Sequence, residues 1–451
     1  MTFASSQMQV FPFTPSDGFI LALDGQCKRT WGGCLSATTE IEIEGEPDRE
    51  KLRWLAQEIP RRFPFFGAVL HRGVLFQAAR WHLCANTPLV PVPLEFHRLE
   101  DVPGDEAVVA AAQVLRMRLL KLRLHENGRP PHLRLDVVRH QRGRWLLLIT
   151  WSHLLFDAVG IELFVCAIAR LWDDADAVVP GHHALHSEVS VWQQFQDSEA
   201  IREFLLHLSG KHFPSASGGR YAKGDPFHLV ETFSEDESRR SREVLKSIGG
   251  DLMAVFFHAV IAARAHRALL YARGMKHASI MLLVPVQLRP KTAAGDPVIF
   301  QNNMTMLHYV MEDDELDNIN SACRLLMRQN VEHLRRKHHL SFSAFLSLTR
   351  YIPSRMILRL IRWQLRGELA SLFHSWTGTF AQGIDHAFGG RVLNGYHIPG
   401  VPAPAGSGLF FSDCQGRISI VLSWVDSCLS ADEVAIMRKQ WRHDLLGESA
   451  S

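Results

Sequence analysis

The stretch Leu147-Leu148-Ile149-Thr150-Trp151-Ser152-His153-Leu154-Leu155-Phe156-Asp157-Ala158-Val159-Gly160 governs how the other residues of this 451-residue chain are read. From Trp145 to Trp151 the residues are nearly all apolar, the pattern of a central strand covered on both faces. His153 leaves that strand at a rigid point, where its ring can face a cleft rather than solvent. A neutral imidazole, with an ordinary pKa of about 6.5, can take a proton near neutral pH and hand it on. Asp157 stands where the next helix begins, and Gly160 lets that helix start close against another backbone. Asp157 alone also fits a plain helix N-cap, and a lone histidine at a strand end also fits a structural role. Metal binding needs at least a third ligand, and none lies nearby at suitable spacing.

Outward from this stretch, residues 133–138 and 144–151 read as a hairpin about Gln141-Arg142-Gly143, and a helix follows at about 159–172 with Ile161, Phe164, Val165, Ile168 and Leu171 on one face. Further upstream, Thr39, Ile41 and Ile43 alternate with Glu40, Glu42 and Glu44, as in a half-buried strand. Asp48 caps a helix whose apolar face is Leu52, Leu55, Ala56 and Ile59 and which Pro60 is expected to end. Residues 68–70 and 74–77 flank Arg72-Gly73 as a second hairpin.

Downstream, residues 173–228 are mixed, with Pro180-Gly181, Ser215-Ala216-Ser217-Gly218-Gly219 and Gly224-Asp225-Pro226, and suit a crossover between lobes. Ser234 and Glu237 have capping-box spacing and open helical material up to about Arg273, with Leu252, Val255, Phe256, Ala259, Val260 and Ala263 as its buried face. Strands are expected at 279–286 and 304–310, and helices at 318–337 and 341–366, the latter interrupted by Pro353. Three short strands follow around 372–378, 406–412 and 417–424. Ser430 and Glu433 then form another capping box.

A chain of 451 residues exceeds the ~250 to 300 at which single cores stop growing, so two lobes are expected. Hydrophobic residues at 47% and charged residues at 21% are ordinary for globular chains, which excludes disordered and fibrous classes. Lysine and arginine outnumber aspartate and glutamate by 49 to 47, so no global field attracts nucleic acid. Seven cysteines (27, 34, 84, 166, 323, 414 and 428), odd in number and never spaced as Cys-x-x-Cys, suit neither a disulfide framework nor a zinc knuckle and fit a reducing cytosol. The first residues do not look like a signal peptide, and no stretch reaches the ~18 apolar residues of a membrane helix. Peripheral membrane contact stays open.

The run from Leu147 to Gly160 resembles the His-His-x-x-x-Asp-Gly motif of the chloramphenicol acetyltransferase-like superfamily. That group includes nonribosomal peptide condensation domains, bacterial wax ester synthase-like and polyketide-associated acyltransferases, and plant acyltransferases. Two further stretches are similar in order along the chain: Arg61-Arg62-Phe63-Pro64-Phe65-Phe66-Gly67-Ala68-Val69-Leu70 before the first hairpin, and Val284-Pro285-Val286-Gln287-Leu288-Arg289-Pro290 with Asn302-Asn303 later. The resemblance covers nearly the whole chain. It implies an α/β fold of two similar chloramphenicol acetyltransferase-like lobes with a central cleft and tunnel. We place the N-terminal lobe at 1–185, a crossover at 186–225 and the C-terminal lobe at 226–451.

The resemblance implies that His153 is the general base and that Asp157 is structural, paired with Arg289. Ser152 replaces the first histidine and Ala158 the motif glycine, both outside the proton-transfer role; Gly160 supports the motif. Ser375 or Thr377, in Ser375-Trp376-Thr377-Gly378, falls where the family has a hydroxyl near the oxyanion, although both also read as ordinary strand residues before a turn. The Asp-Phe-Gly-Trp-Gly signature of the plant branch is absent. His182-His183 and His338-His339 lack an aspartate at the right offset and are read as surface residues.

The expected activity is transfer of an acyl group from a thioester, on coenzyme A or on the phosphopantetheine arm of an acyl or peptidyl carrier protein, to an alcohol or amine. No covalent acyl-enzyme and no metal are required. A stand-alone condensation-type enzyme of natural-product assembly is the first reading and a lipid or alcohol O-acyltransferase of wax ester synthase type the second. The non-enzymatic alternative is an idle homologue that holds a carrier or acyl chain. A monomer or weak dimer is expected. Arg355, Arg359, Arg362 and Arg366 recur at spacings that place them on one helical face, with Met356, Leu360 and Trp363 near the opposite side. Such a stripe is either a solvated face or a dock for an acidic carrier or an anionic membrane.

Overall fold

The apolar run before His153 forms the strand Arg144–Ser152, buried at every position after Arg144. It pairs antiparallel with Leu133–Gln141 on one side and Ser36–Glu44 on the other, at the centre of a six-stranded sheet. This computed structural model describes all residues except 1–7, 72–78, 85–89, 99–104, 126–127, 142, 180–188, 291–297, 350 and 448–451. Gly143 turns the central hairpin at φ 72°, a left-handed conformation that glycine adopts without strain. Ser36–Glu44 is more deeply buried than its alternation suggests. Glu40 is covered because Arg116 reaches it with two hydrogen bonds of 2.6 and 2.7 Å and Tyr396 donates its hydroxyl to it.

Asp48 caps the helix Arg49–Arg62 by accepting from the Lys51 backbone N–H at 3.0 Å. Contrary to expectation Pro60 does not end this helix, which continues two residues further. The carbonyl of Ala56, deprived of its partner at Pro60, accepts instead from Val92 N at 2.9 Å. The short strand Val69–His71 pairs with Arg80–Cys84 rather than with 74–77, which lie outside the described residues.

A second six-stranded sheet, in the order Met304–Met311, Ile280–Gln287, Leu372–Thr379, Ser407–Cys414, Arg417–Val425 and Pro226–Thr232, builds the other lobe. The helices Glu235–Ile248, Ala254–Ala272 and Ala431–Leu446 pack together beside it. Both capping boxes, Ser234 with Glu237 and Ser430 with Glu433, are made. Leu252 and Val255 are exposed, not buried as expected, because Gly250–Met253 forms a 3-10 turn. The tighter turn shifts the phase of the apolar face before the α-helix begins. Gly250–Ala272 is also, by length and composition, apolar enough to cross a membrane, which the sequence reading overlooked. It is the core helix of its lobe and mostly buried.

The stretch between the sheets is not structureless: Val191–Asp197 and Glu199–Leu208 are helices that pack on His338–Thr349. One strand joins the lobes. Gly390–Pro399, late in the chain, pairs antiparallel with Ser36–Glu44 of the first sheet. From it Asn394 Nδ2 reaches Thr232 Oγ1 and Ser419 Oγ of the second, each at 3.2 Å.

Candidate active site

The turn after the central strand is tied by Ser152. Its carbonyl accepts from Leu155 N and Phe156 N at 3.0 and 3.2 Å, and its hydroxyl accepts from Leu154 N at 3.2 Å. His153 is held at both backbone atoms: its N–H donates to Leu35 O at 3.0 Å and its carbonyl accepts from Asn302 Nδ2 at 2.8 Å. The ring lies 5.3 Å from Trp151, centroid to centroid, and lines a cavity of about 300 Å³ between the lobes. Burial pushes the imidazole below the ordinary histidine range, opposed by its own carbonyl and by the charge of Asp157. The ring is therefore neutral at pH 7, as a base must be.

Asp157 caps the helix Ala158–Asp173, and four donors occupy its carboxylate. Oδ1 accepts from Arg289 Nη2 and Gly160 N, both at 2.7 Å; Oδ2 accepts from Arg289 Nη1 and Asn303 N, both at 2.9 Å. Arg289 is fixed in turn by the carbonyls of Ile299 and Gln301 at 2.8 and 2.7 Å. With each oxygen doubly engaged, this carboxylate has no capacity left to take a proton from a substrate. A Cβ on Gly160 would stand 2.2 Å from the Phe300 carbonyl oxygen, so only glycine lets the helix start here.

The facing wall carries Ser375 and Thr377. Their strand pairs with Ile280–Gln287 only at Leu372 and Phe373, after which the two part. The cavity reaches this divergence, with Pro285 and Gln287 on one strand and Ser375 and Thr377 on the other. Thr377 Oγ1 is buried there without a hydrogen-bond partner.

The arginine stripe is not one face. On Ser354–Gln364, Arg359 is exposed, whereas Arg362 turns inward to the carbonyls of Gly367 and Gly219 at 2.8 and 2.7 Å and lies 3.7 Å over the Tyr221 ring. Arg366 is exposed beyond the helix end, at φ 52°, and the side chain of Arg355 lies outside the described residues. Met356, Leu360 and Trp363 are themselves exposed, because Ile357, Leu358 and Leu365 form the buried side.

The reading of His338 as a surface residue is also corrected. It is buried, its Nδ1 lies 2.8 Å from His333 Nδ1, and Phe204 covers the pair. His339 is half-buried, and His182 and His183 lie outside the described residues.

Sequence reasoning missed three groups around the site. Asp17, buried and pushed up to about 7 by desolvation, accepts from Thr14 N and from Asn302 Nδ2, the same amide that holds the His153 carbonyl. His397 lines the cavity with its Nε2 2.9 Å from Glu162 and its Nδ1 2.9 Å from Thr39 Oγ1. His374 lines it beside Ser375. None carries a local motif, so no signal in the sequence would have found them.

Two clusters among the described residues offer three metal-ligand atoms each. In Asp24, Cys34 and His125, the N–H of Gly128 donates to His125 Nδ1 at 3.1 Å, so Nε2 carries the proton and points at Asp24, 3.3 Å away. In Glu95, His97 and Asp136, both carboxylates are engaged by Arg134. Lys28 pairs with the Asp24 carboxylate as Arg134 does with the other two, so the carboxylates of both groups are engaged.

Two sheet-and-helix lobes around a cleft are the fold seen in solved acetyltransferase and condensation-domain structures. The chain is similar over 99% of its length to trichothecene 15-O-acetyltransferase TRI3 from Fusarium sporotrichioides, at 12% identity, TM-score 0.67 and 96% of that chain. Over 97% of its length it is similar to the first condensation domain of the calcium-dependent antibiotic synthetase in complex with a substrate analogue, at 13% identity, TM-score 0.67 and 96% of that chain. A double mutant of the starter condensation domain of rhizomide synthetase RzmA, in complex with C8-CoA and Leu-SNAC, matches over 97% of this chain and 94% of its own, at 14% identity and TM-score 0.67. No protein-family model and no curated protein sequence matches the chain. At such identities the likeness establishes the fold.

Proposed function

We propose that the chain is an acyltransferase of the His-x-x-x-Asp type, moving an acyl group from a thioester to a hydroxyl or amine, as a stand-alone condensation-type enzyme of natural-product assembly. One observation carries this reading: a neutral histidine lines the inter-lobe cavity while the aspartate four residues on is wholly engaged in holding its loop. His153 takes the proton from the acceptor O–H or N–H as the oxygen or nitrogen bonds to the thioester carbonyl carbon. Thr377 or Ser375 donates to the resulting oxyanion. Collapse breaks the carbon–sulfur bond, and the leaving thiolate takes the proton back from His153.

Lobes at 1–185 and 226–451, joined by 186–225, belong to this reading, as does a cytosolic location. Cys27, Cys34, Cys166, Cys323, Cys414 and Cys428, whose side chains are described, are free thiols, which supports a reducing compartment. An acyl-CoA donor is supported by the C8-CoA bound to RzmA, and a carrier-protein donor by the likeness to condensation domains. For a carrier we propose Arg359, Arg366 and the exposed Met356, Leu360 and Trp363 as the dock. The test is mass spectrometry of acyl-CoAs and carrier-bound acyl groups incubated with the protein and mixed alcohols and amines. Products that form with the wild type and vanish with His153→Ala support the reading, and absence of any product across the panel refutes it.

A further inference from the structure

Two imidazoles near Ser375 and Thr377 are left half satisfied, His374 in the cavity lining and His258 packed behind it on Trp376. His374 lines the cavity; its Nδ1 donates to Leu409 O at 3.0 Å, and its buried Nε2 has no partner. His258 donates from Nδ1 to Ala254 O at 2.7 Å, stacks on Trp376 at 4.0 Å, and likewise leaves Nε2 unpartnered. Phe411 touches both rings, at 5.0 and 5.7 Å between centroids, and the hydroxyl of Thr377 is a third unpartnered group.

These bonds fix the chemistry of the free atoms. Each Nδ1 faces a carbonyl and so carries the hydrogen, and burial holds both rings neutral, His258 near pKa 3 and His374 near 4. Each Nε2 is therefore a lone pair that can accept and cannot donate. A buried acceptor without a donor is destabilising, and native proteins keep few of them. Among Phe373, Trp376 and Phe411 the apolar surroundings also strengthen any hydrogen bond that is made. A guest carbonyl or carboxylate oxygen would meet lone pair with lone pair. Only a guest N–H or O–H satisfies the site.

We propose, resting on the acyl-transfer reading, that His374, backed by His258, is a specificity-determining residue that accepts a hydrogen bond from an N–H or O–H group of the bound thioester. That group is either a hydroxyl on the acyl chain or an amide N–H of the pantetheine arm.

Equilibrium binding by calorimetry, with the full-length chain carrying His153→Ala so that nothing turns over, separates the two. The probes are octanoyl-CoA, 3-hydroxyoctanoyl-CoA and S-ethyl octanethioate, which lacks both groups. His374→Phe should weaken binding of the donor-bearing ligand about tenfold. His374→Gln, whose amide oxygen can accept, should restore most of it. Loss confined to 3-hydroxyoctanoyl-CoA assigns the acyl hydroxyl, and loss with both CoA thioesters but not the ethyl thioester assigns the pantetheine amide. Unchanged affinities, equal loss for all three probes, no binding of any probe, or a water bridging the two Nε2 atoms in a ligand-bound crystal structure would overturn the proposal. If His374→Phe does not fold, the chain with native His374 decides the matter by whether it prefers a donor-bearing probe, and equal affinity for all three probes then overturns the proposal. Because binding is read without turnover, failure of the acyl-transfer reading shows up separately, as absent product with intact ligand discrimination.

Discussion

In the proposed mechanism His153 acts as a base only while its ring is neutral, and its pKa is lowered by burial. The pH at which kcat/KM begins to fall on the acid side should therefore lie below the ordinary histidine value of about 6.5. An acid limb at or above that value would contradict the assigned environment. His153→Ala should keep the fold and slow transfer by roughly 10² to 10⁴, the usual worth of a positioned general base. Asp157 and Arg289 should behave differently, since each leaves a buried charge behind when the other is removed. Asp157→Ala or Arg289→Ala should each cost about 3 to 5 kcal/mol in denaturant unfolding, with strong coupling in the double-mutant cycle. Additive losses would mean that the pair does not act as a unit. This much was legible in the sequence because histidine, aspartate and glycine lie within eight residues of one another. Asp17 was not legible, since its partner Asn302 is 285 residues away and only the fold brings them together.

The helix Ser354–Gln364 shows what periodicity does and does not fix. Spacings of four, three and four placed the arginines on one side, but which side meets the protein depends on neighbours outside the segment. Those neighbours take Ile357 and Leu358 into the core and draw Arg362 onto the carbonyls of Gly219 and Gly367. Reversing Arg359 and Arg366 together to glutamate should thus weaken use of a carrier-bound donor and flatten its salt dependence, with transfer from a small thioester unchanged. Equal loss with both donors would show that the residues support the fold, and no loss with either would return them to plain surface. The strand Gly390–Pro399 illustrates the opposite difficulty. Its Gly390, Gly395 and Pro399 suggest turns, and its strand character comes from pairing with Ser36–Glu44, about 350 residues earlier. Gly395 is needed there because a Cβ would meet the Phe380 ring at 2.4 Å.

Across the whole molecule, buried neutral histidines set the response to acid. His132, His266 and His374 are lowered to about 4, and His228, His258 and His308 to about 3, each chiefly by desolvation. In the unfolded chain these groups titrate near 6.5, so below that pH the unfolded state binds more protons than the folded one. Their contribution is fully present above about pH 6.5 and is lost as pH falls toward their folded values, by up to about 1.4 kcal/mol per group per pH unit. Two acids act in the opposite sense. Asp17 and Glu368, both raised to about 7 by burial, are protonated in the folded state where the unfolded state is ionised, and their contribution is lost as pH rises through 7. Six histidines outweigh two acids, so the net slope between pH 6.5 and 5 has the sign of the histidines. The melting temperature should drop steeply over that interval and change little between pH 7 and 8, where the histidines are neutral in both states. His308→Phe, which keeps an aromatic ring and removes one such proton site, should make the drop shallower. A flat melting temperature from pH 7.5 to 5 would mean that these rings reach solvent or a proton-accepting partner when folded, and that their burial does not govern acid stability.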